Sequence, residues 1–170
     1  MRPLDLVVLL KIIALDHWEW YMKDLAYSLG ISQSEISESL NRSALSGLVH
    51  KEKKIVNNKA LMEFLEFGLK YVFPVQTGPS SRGMPTAHSA LPLSLLVKVS
   101  SPYVWPDASG KIYGRSVSPL HPGVPEACRE DQRLYRLLAL SDAVRVPGAG
   151  YHETAVKELK RIIPVPLKNH

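Results

Sequence analysis

"LAYSLGISQSEISESLNRSALSGLV", residues 25–49, is the stretch on which the reading of this chain turns. Leu25, Ala26 and Leu29 fall at helical spacing and stop at Gly30, where a glycine reaches positive φ without strain and lets the chain turn sharply. Ile31 is placed to plug the angle between two helices. Ser32 then opens a second helix, and Glu35 stands three residues on, the spacing of a capping box. Ile36, Leu40, Ala44 and Leu48 follow at four-residue steps as one apolar stripe, leaving Gln33, Ser34, Ser37, Glu38, Asn41 and Arg42 on other faces. Two helices joined by a tight glycine turn, the second with an outer face of short polar side chains, is the geometry of a helix-turn-helix.

The pattern L-A-x-x-L-G-I-S-x-S-x-I-S-x-x-L over residues 25–40, followed by G-L-V at 47–49, resembles the winged helix-turn-helix of bacterial transcriptional regulators of the MarR and ArsR type. The resemblance reaches from about residue 4 to 73, less than half of the chain. It implies a DNA-binding domain over residues 1–73 that places the helix 32–46 in the major groove. Ser32, Gln33, Ser34, Ser37, Glu38, Asn41 and Arg42 would then face the DNA. One position departs from that family pattern: Ser43 stands where an apolar residue is usual, and Leu45 is expected to take over by a shift in helix phase.

"LVHKEKKIVNN" contains two short β-prone pieces, Leu48–His50 and Lys54–Val56, around a charged turn. They predict a small hairpin, the wing, in which Lys51, Lys53 and Lys54 meet phosphates beside the groove. Asn57 or Asn58 is placed to cap the next helix, "KALMEFLEFGLKYVF". Its Leu61, Leu65, Leu69 and Val72 make one stripe, Phe64, Phe67 and Tyr71 make a second, and Glu66 and Lys70 are set to pair. The second stripe asks for a further partner, a dimer mate or the C-terminal half.

"MRPLDLVVLLKIIAL" is basic and then apolar, like a short signal peptide. Asp5 and Lys11 interrupt it and no small-residue cleavage site follows, so it reads as a buried first helix with Pro3 near its start. No uninterrupted run approaches the ~20 apolar residues of a membrane span. The lone cysteine, Cys128, allows no internal disulfide and reads as a buried, inert thiol. The expected location is the cytoplasm, with no membrane association.

Composition changes near Pro74. Nine of the 13 prolines lie between residues 74 and 125, and one precedes them. Residues 4–73 can therefore be almost wholly helical while the middle cannot. Residues 1–73 hold nine Lys+Arg against nine Asp+Glu, and residues 74–170 hold 12 against seven. The DNA-reading half is thus neutral. Its affinity is expected to rest on the wing lysines, on helix N-termini and on dimerisation, with Glu35 spent on the cap.

The expected fold is mainly α with small β elements: a winged helix-turn-helix over 1–73, a Pro-rich linker or docked segment over 74–92, and a C-terminal interaction region of mixed α/β over 93–170. In that region "LSLLVKVS" (93–100) favours a strand. "YVW" and "KIYGRSV" flank the turn "PDASG" as a hairpin. One helix runs from about Glu126, with Leu134, Leu137, Leu138 and Val144 as its apolar side, and a last amphipathic helix, Tyr151–Ile163, ends at Pro164. Arg129, Arg133 and Arg136 project at helical steps, and with Arg82 they are the candidate contacts to a partner protein.

Catalytic and metal patterns are thin. The six histidines form no H-x3-H or H-E-x-x-H pair. Gly78–Gly83 lacks the lysine and hydroxyl of a phosphate loop, and Thr86, His88 and Ser89 read as loop polar residues. No enzyme activity, metal or cofactor is expected. The leading expectation is a homodimeric regulator of double-stranded DNA. The other reading is an antitoxin or adaptor whose C-terminal half holds a protein encoded nearby while its DNA domain autoregulates the operon.

Overall fold

A computed structural model describes residues 1–16, 19–50, 52, 54–98, 101–148 and 150–166. It is mainly helical with small β elements. Helix α1 (Pro3–Ala14) starts with proline in its first turn, and the Arg2 N–H donates to Asp5 Oδ2 at 2.7 Å. Its residues Leu6–Leu10 are buried in succession, so the helix is covered on every side. The two charges that interrupt its apolar run are both paired across the core. Arg42 donates to Asp5 through Nε and Nη2, the latter at 2.7 Å, and Lys11 Nζ donates to Asp131 Oδ2 at 2.7 Å.

Helix α2 (Met22–Leu29) ends at Gly30, whose φ of 66° is the left-handed cap expected there. Helix α3 (Gln33–Leu45) follows, then the antiparallel strands β1 (Val49–His50) and β2 (Ile55–Val56), with Val49 opposite Val56. The strands lie within a residue of the predicted pieces. Asn57 caps α4 (Asn58–Glu63) by accepting from the Ala60 N–H at 3.1 Å. A π turn, Phe64–Gly68, then leads into α5 (Leu69–Val72). Glu66 does not pair with Lys70: it accepts from Lys160 at 2.7 Å, and Lys70 lies over the Tyr71 ring. The π turn alters the local periodicity on which an i,i+4 pairing depends.

The middle of the chain differs most from expectation. The Pro-rich stretch supplies β3 (Ser80–Pro85), which joins β4 (Tyr103–Pro106) and β5 (Ile112–Ser116) in a closed three-stranded arrangement. The Asp107 turn forms, with the Gly110 N–H on the Asp107 carbonyl at 2.9 Å, but β4 and β5 are not a hairpin. They run parallel where they meet, and β3 pairs antiparallel with both. Gly83 is where β3 passes from one neighbour to the other, lying opposite Ile112 and Pro106. A Cβ there would stand 2.0 Å from the Trp105 carbonyl oxygen and 2.8 Å from Val104 Cβ. Gly83→Ala is therefore expected to destabilise the chain by ~1–3 kcal/mol, read as a lower urea midpoint, because a backbone oxygen cannot move aside as a side chain can.

The expected strand does not form over residues 93–98, and Val99 and Ser100 lie outside the described residues. Leu93–Leu96 make a single helical turn, α6, with Leu93 buried and Leu95 and Leu96 exposed. The single helix expected from Glu126 is two, α7 (Val124–Arg129) and α8 (Gln132–Arg145). Asp131 interrupts it: this carboxylate accepts from the Leu134 N–H at 2.9 Å as the cap of α8 while also holding Lys11. Helix α9 (His152–Ile162) closes the fold.

The hydrophobic core is continuous from α1–α5 into α7–α9, with Trp105 and Leu120 joining it from the middle segment. A buried polar network ties that segment down. Asp142 accepts from Thr86 Oγ1 at 2.8 Å, Trp105 Nε1 at 2.5 Å and Arg145 Nε at 2.7 Å, and Arg145 donates further to the carbonyls of Phe73 and Ser118. Tyr135 also donates to the Pro85 carbonyl from α8. The stretch 74–92 is thus docked along its own protein. Among the described residues no helix is long and apolar enough to cross a membrane.

Candidate nucleic-acid interface

The turn between α2 and α3 is built as its residues dictate. Ser32 Oγ accepts from the Glu35 N–H at 3.2 Å, and the Ser32 N–H donates to Glu35 Oε2 at 2.9 Å, which completes the capping box. The Ser32 N–H, and the Ser32 hydroxyl donating to the same oxygen at 3.0 Å, hold the Glu35 carboxyl below its ordinary value. Glu35 therefore stays ionised and engaged at the start of α3.

Beyond the cap, Gln33, Ser34, Glu38 and Asn41 are exposed and Ser37 is half-buried. They form the outward face of α3. Its inward face is centred on Ile36, Ser39 and Ser43, with Leu40 and Ala44 packed at its flanks. Leu45 does not take over from Ser43: Ser43 is fully buried and Leu45 is 92% exposed. The helix keeps its phase, and small serines on the buried face let its backbone approach α1.

Arg42 is the residue whose place differs most from expectation. Its guanidinium turns inward onto Asp5, which is 0% exposed, and Nη1 lies 3.7 Å from Glu38. Burial works to raise the Asp5 carboxyl, but the Arg42 guanidinium and the Arg2 N–H outweigh it and hold it below 3.8. The same bond raises Arg42 above its ordinary value. Arg42 thus joins α3 to α1 and is not displayed with Gln33 and Asn41.

In the expected wing, Lys51 and Lys53 lie outside the described residues. Lys54 is exposed at the start of β2, with Nζ 5.2 Å from the centroid of the Trp20 ring. A cleft of about 590 Å³ opens behind it, with Ile12, Ile13, Trp20, Val56 and Arg133 among its walls.

The four arginines expected to meet a partner are not one ridge. Arg129 belongs to α7 and bonds Asp107 at 2.6 Å and Glu126 at 2.7 Å. Arg133, on α8, bonds Asp16 at 2.6 Å. Arg136 is exposed on α8, and Arg82 is exposed on β3 with its guanidinium over the Tyr113 ring. The break at Asp131 ends the helical phase that would have aligned the first three.

The loop polar residues have structural bonds. Thr86 is held by Asp142, the Ser89 hydroxyl accepts from the Tyr103 N–H at 2.8 Å, and His88 lies between the Tyr151 hydroxyl at 2.6 Å and the Ser101 carbonyl at 2.8 Å. Burial lowers the His88 imidazole below its ordinary value, so it stays neutral near pH 7. Cys128 is fully buried, and burial pushes its thiol up, away from the reactive thiolate. Among the described residues no group of three His, Cys, Asp or Glu side chains is placed to hold a metal ion. No protein-family model, curated protein or solved structure shows significant similarity to this chain.

Proposed function

We propose that this chain is a sequence-specific DNA-binding regulator that uses residues 1–73 as a winged helix-turn-helix, with α3 in the major groove and the β1–β2 ladder as the wing. The observation that carries the reading is the left-handed Gly30 cap leading into a capped α3 whose outward face stays exposed. Gln33, Ser34 and Asn41 offer the hydrogen-bonding groups that read base edges, and Glu38 offers an acceptor for cytosine N4. A homodimer would match a palindromic site, with half-sites about one turn (~10 bp) or a multiple apart. Phe67, Tyr71 and Val72 are exposed together at the end of the α4–α5 segment and supply an apolar patch for the second copy.

Replacing Gln33 and Asn41 with alanine is expected to cost ~1–3 kcal/mol of discrimination at each base that those side chains read. Selection from random duplexes tests this directly, and an unchanged sequence preference in the double variant removes α3 from recognition. Because Arg42 is engaged by Asp5, phosphate neutralisation falls to other cations. Changing Lys51, Lys53 and Lys54 together to glutamine is expected to flatten the dependence of log affinity on log salt by up to ~3 units per protomer, leaving sequence preference intact. A slope equal to the parent's excludes these lysines from the interface.

A second reading, an adaptor or antitoxin that holds a protein partner, is favoured by the same Phe67–Val72 patch. The two readings separate on the oligomeric state of the purified chain. A stable dimer that Tyr71→Asp splits assigns the patch to self-association. A monomer that pairs with the product of an adjacent gene assigns it to the partner.

A further inference from the structure

The excess positive charge lies in residues 74–170, yet much of it is already engaged. Arg129, Arg133, Arg145 and Arg161 are all in ion pairs. Free cations gather instead on the small sheet. Strands β3 and β5 pair with Arg82 opposite Tyr113 and Ser80 opposite Arg115. Side chains two apart on a strand share a face, so these four residues line one side of the ladder, and Lys111 lies in the bend immediately before β5. All five are exposed, Tyr113 by 63%, whereas Gly83 and Gly114 on the alternate positions are buried.

This face is basic and carries an aromatic ring. Neither β3 nor β5 contains a carboxylate, and among the described residues Arg82, Lys111 and Arg115 make no ion pair. The Arg82 guanidinium stands 5.4 Å from the Tyr113 ring centroid, which orients both side chains. Lys111 and Arg115 are four residues apart, at most about 14 Å of extended chain, a length that spans more than one phosphate of a DNA strand, so the three cations can meet neighbouring phosphates.

The face is also linked to α3. Arg129 fastens the turn before Lys111 to the C-terminal end of α7 through Asp107. The other end of α7 lies against the α2–α3 turn: a Cβ on Gly123 would be 3.2 Å from the Leu29 carbonyl. Six residues of helix span about 9 Å, so α7 bridges the Asp107 turn and the α2–α3 turn.

We infer that the exposed face of β3 and β5 is a second contact surface for double-stranded DNA, gripping the phosphate backbone beside the base pairs that α3 reads. This rests on the proposed role of α3. Arg82, Lys111 and Arg115 take phosphate oxygens, and the Tyr113 hydroxyl donates to another. The surface positions the duplex and carries no sequence information of its own.

The test is the full-length chain with Arg82→Gln, Lys111→Gln and Arg115→Gln combined, titrated with salt on a long duplex and on the matching single strand. The expected result is a slope shallower by ~2–3 units on duplex, with the sequence preference from random pools unchanged. Because the three side chains are exposed, the variant should melt with the parent; a lower melting temperature together with an unchanged slope counts against the proposal as much as an unchanged slope alone. A parent that binds duplex with a slope the variant shares overturns this surface and leaves the α3 reading standing. A parent that binds no duplex even at low salt overturns both. A loss confined to the single strand overturns the duplex assignment in favour of stacking on Tyr113.

Discussion

Asp142→Ala is expected to leave the chain unfolded or close to it at neutral pH. The carboxylate is the shared acceptor for Thr86, Trp105 and Arg145, and it is 1% exposed. Its removal strands the buried Arg145 guanidinium, which costs ~3–5 kcal/mol when a buried pair loses one member. The Thr86 hydroxyl and the Trp105 indole lose their acceptor too, at roughly 1–3 kcal/mol for each unsatisfied buried donor. These costs are not additive, but together they rival the ~5–15 kcal/mol that holds a domain together. Thr86→Val removes one donor and leaves the ion pair, so it should cost only ~1 kcal/mol. Urea unfolding followed by tryptophan fluorescence reads both. An Asp142→Ala midpoint within experimental error of the parent would show that Arg145 finds another partner and that the network does not anchor β4.

Arg42→Ala is expected to destabilise the chain by about 3 kcal/mol, toward the low end for a broken buried pair because water can follow the retreating side chain to Asp5. The effect should depend on pH in a definite direction. The folded protein holds Asp5 below 3.8, so this pair contributes stability above that value and loses it as pH falls through the folded pKa. In the variant the guanidinium is gone and burial dominates, which moves the Asp5 carboxyl upward. The variant's deficit should therefore shrink between pH 7 and pH 4, as protonation removes the unpaired charge. Equal deficits at both pH values would contradict an electrostatic origin. Arg42→Lys should recover only part of the loss, since an ammonium cannot reproduce the two-pronged guanidinium bond.

What could be read in the amino-acid order was local. Gly30, Ser32 with Glu35, Asn57 and the short β-prone pieces around the lysine turn each act within a few residues, and each is found where those rules place it. Arg42 was not legible in that way. Its neighbours Asn41 and Ser43 assign it to the boundary of the outward face, and the carboxylate that turns it inward lies 37 positions earlier on another helix. The strand β3 was hidden for a similar reason. "SSRGMP" has no β-branched residue and a proline at its end, so nothing local favours extension; the ladder is supplied by β4 and β5 from later in the chain. "LSLLVKVS" erred the other way, because its valines favour a strand that finds no edge to join at Leu93–Leu96. The arginine series failed where Asp131 stops one helix and begins another, since a periodicity argument assumes an unbroken helix.

The pairing of Lys11 with Asp131 has a consequence for how the chain is made. Helix α1 leaves the ribosome before its covering partner α8 exists, and about 130 residues separate their C-terminal ends. At ~5–20 residues per second of synthesis, that is an interval of about 6–26 s. Until α8 is made, α1 has α2, α3 and β2 as its main neighbours, and Lys11 has no Asp131 carboxylate to meet. The side of α1 that finally faces α8 is thus a transient apolar surface on the nascent chain, long enough lived for a chaperone to engage. The order of synthesis brings α8 to α1 late, and the core between these two helices closes only once α8 has been made.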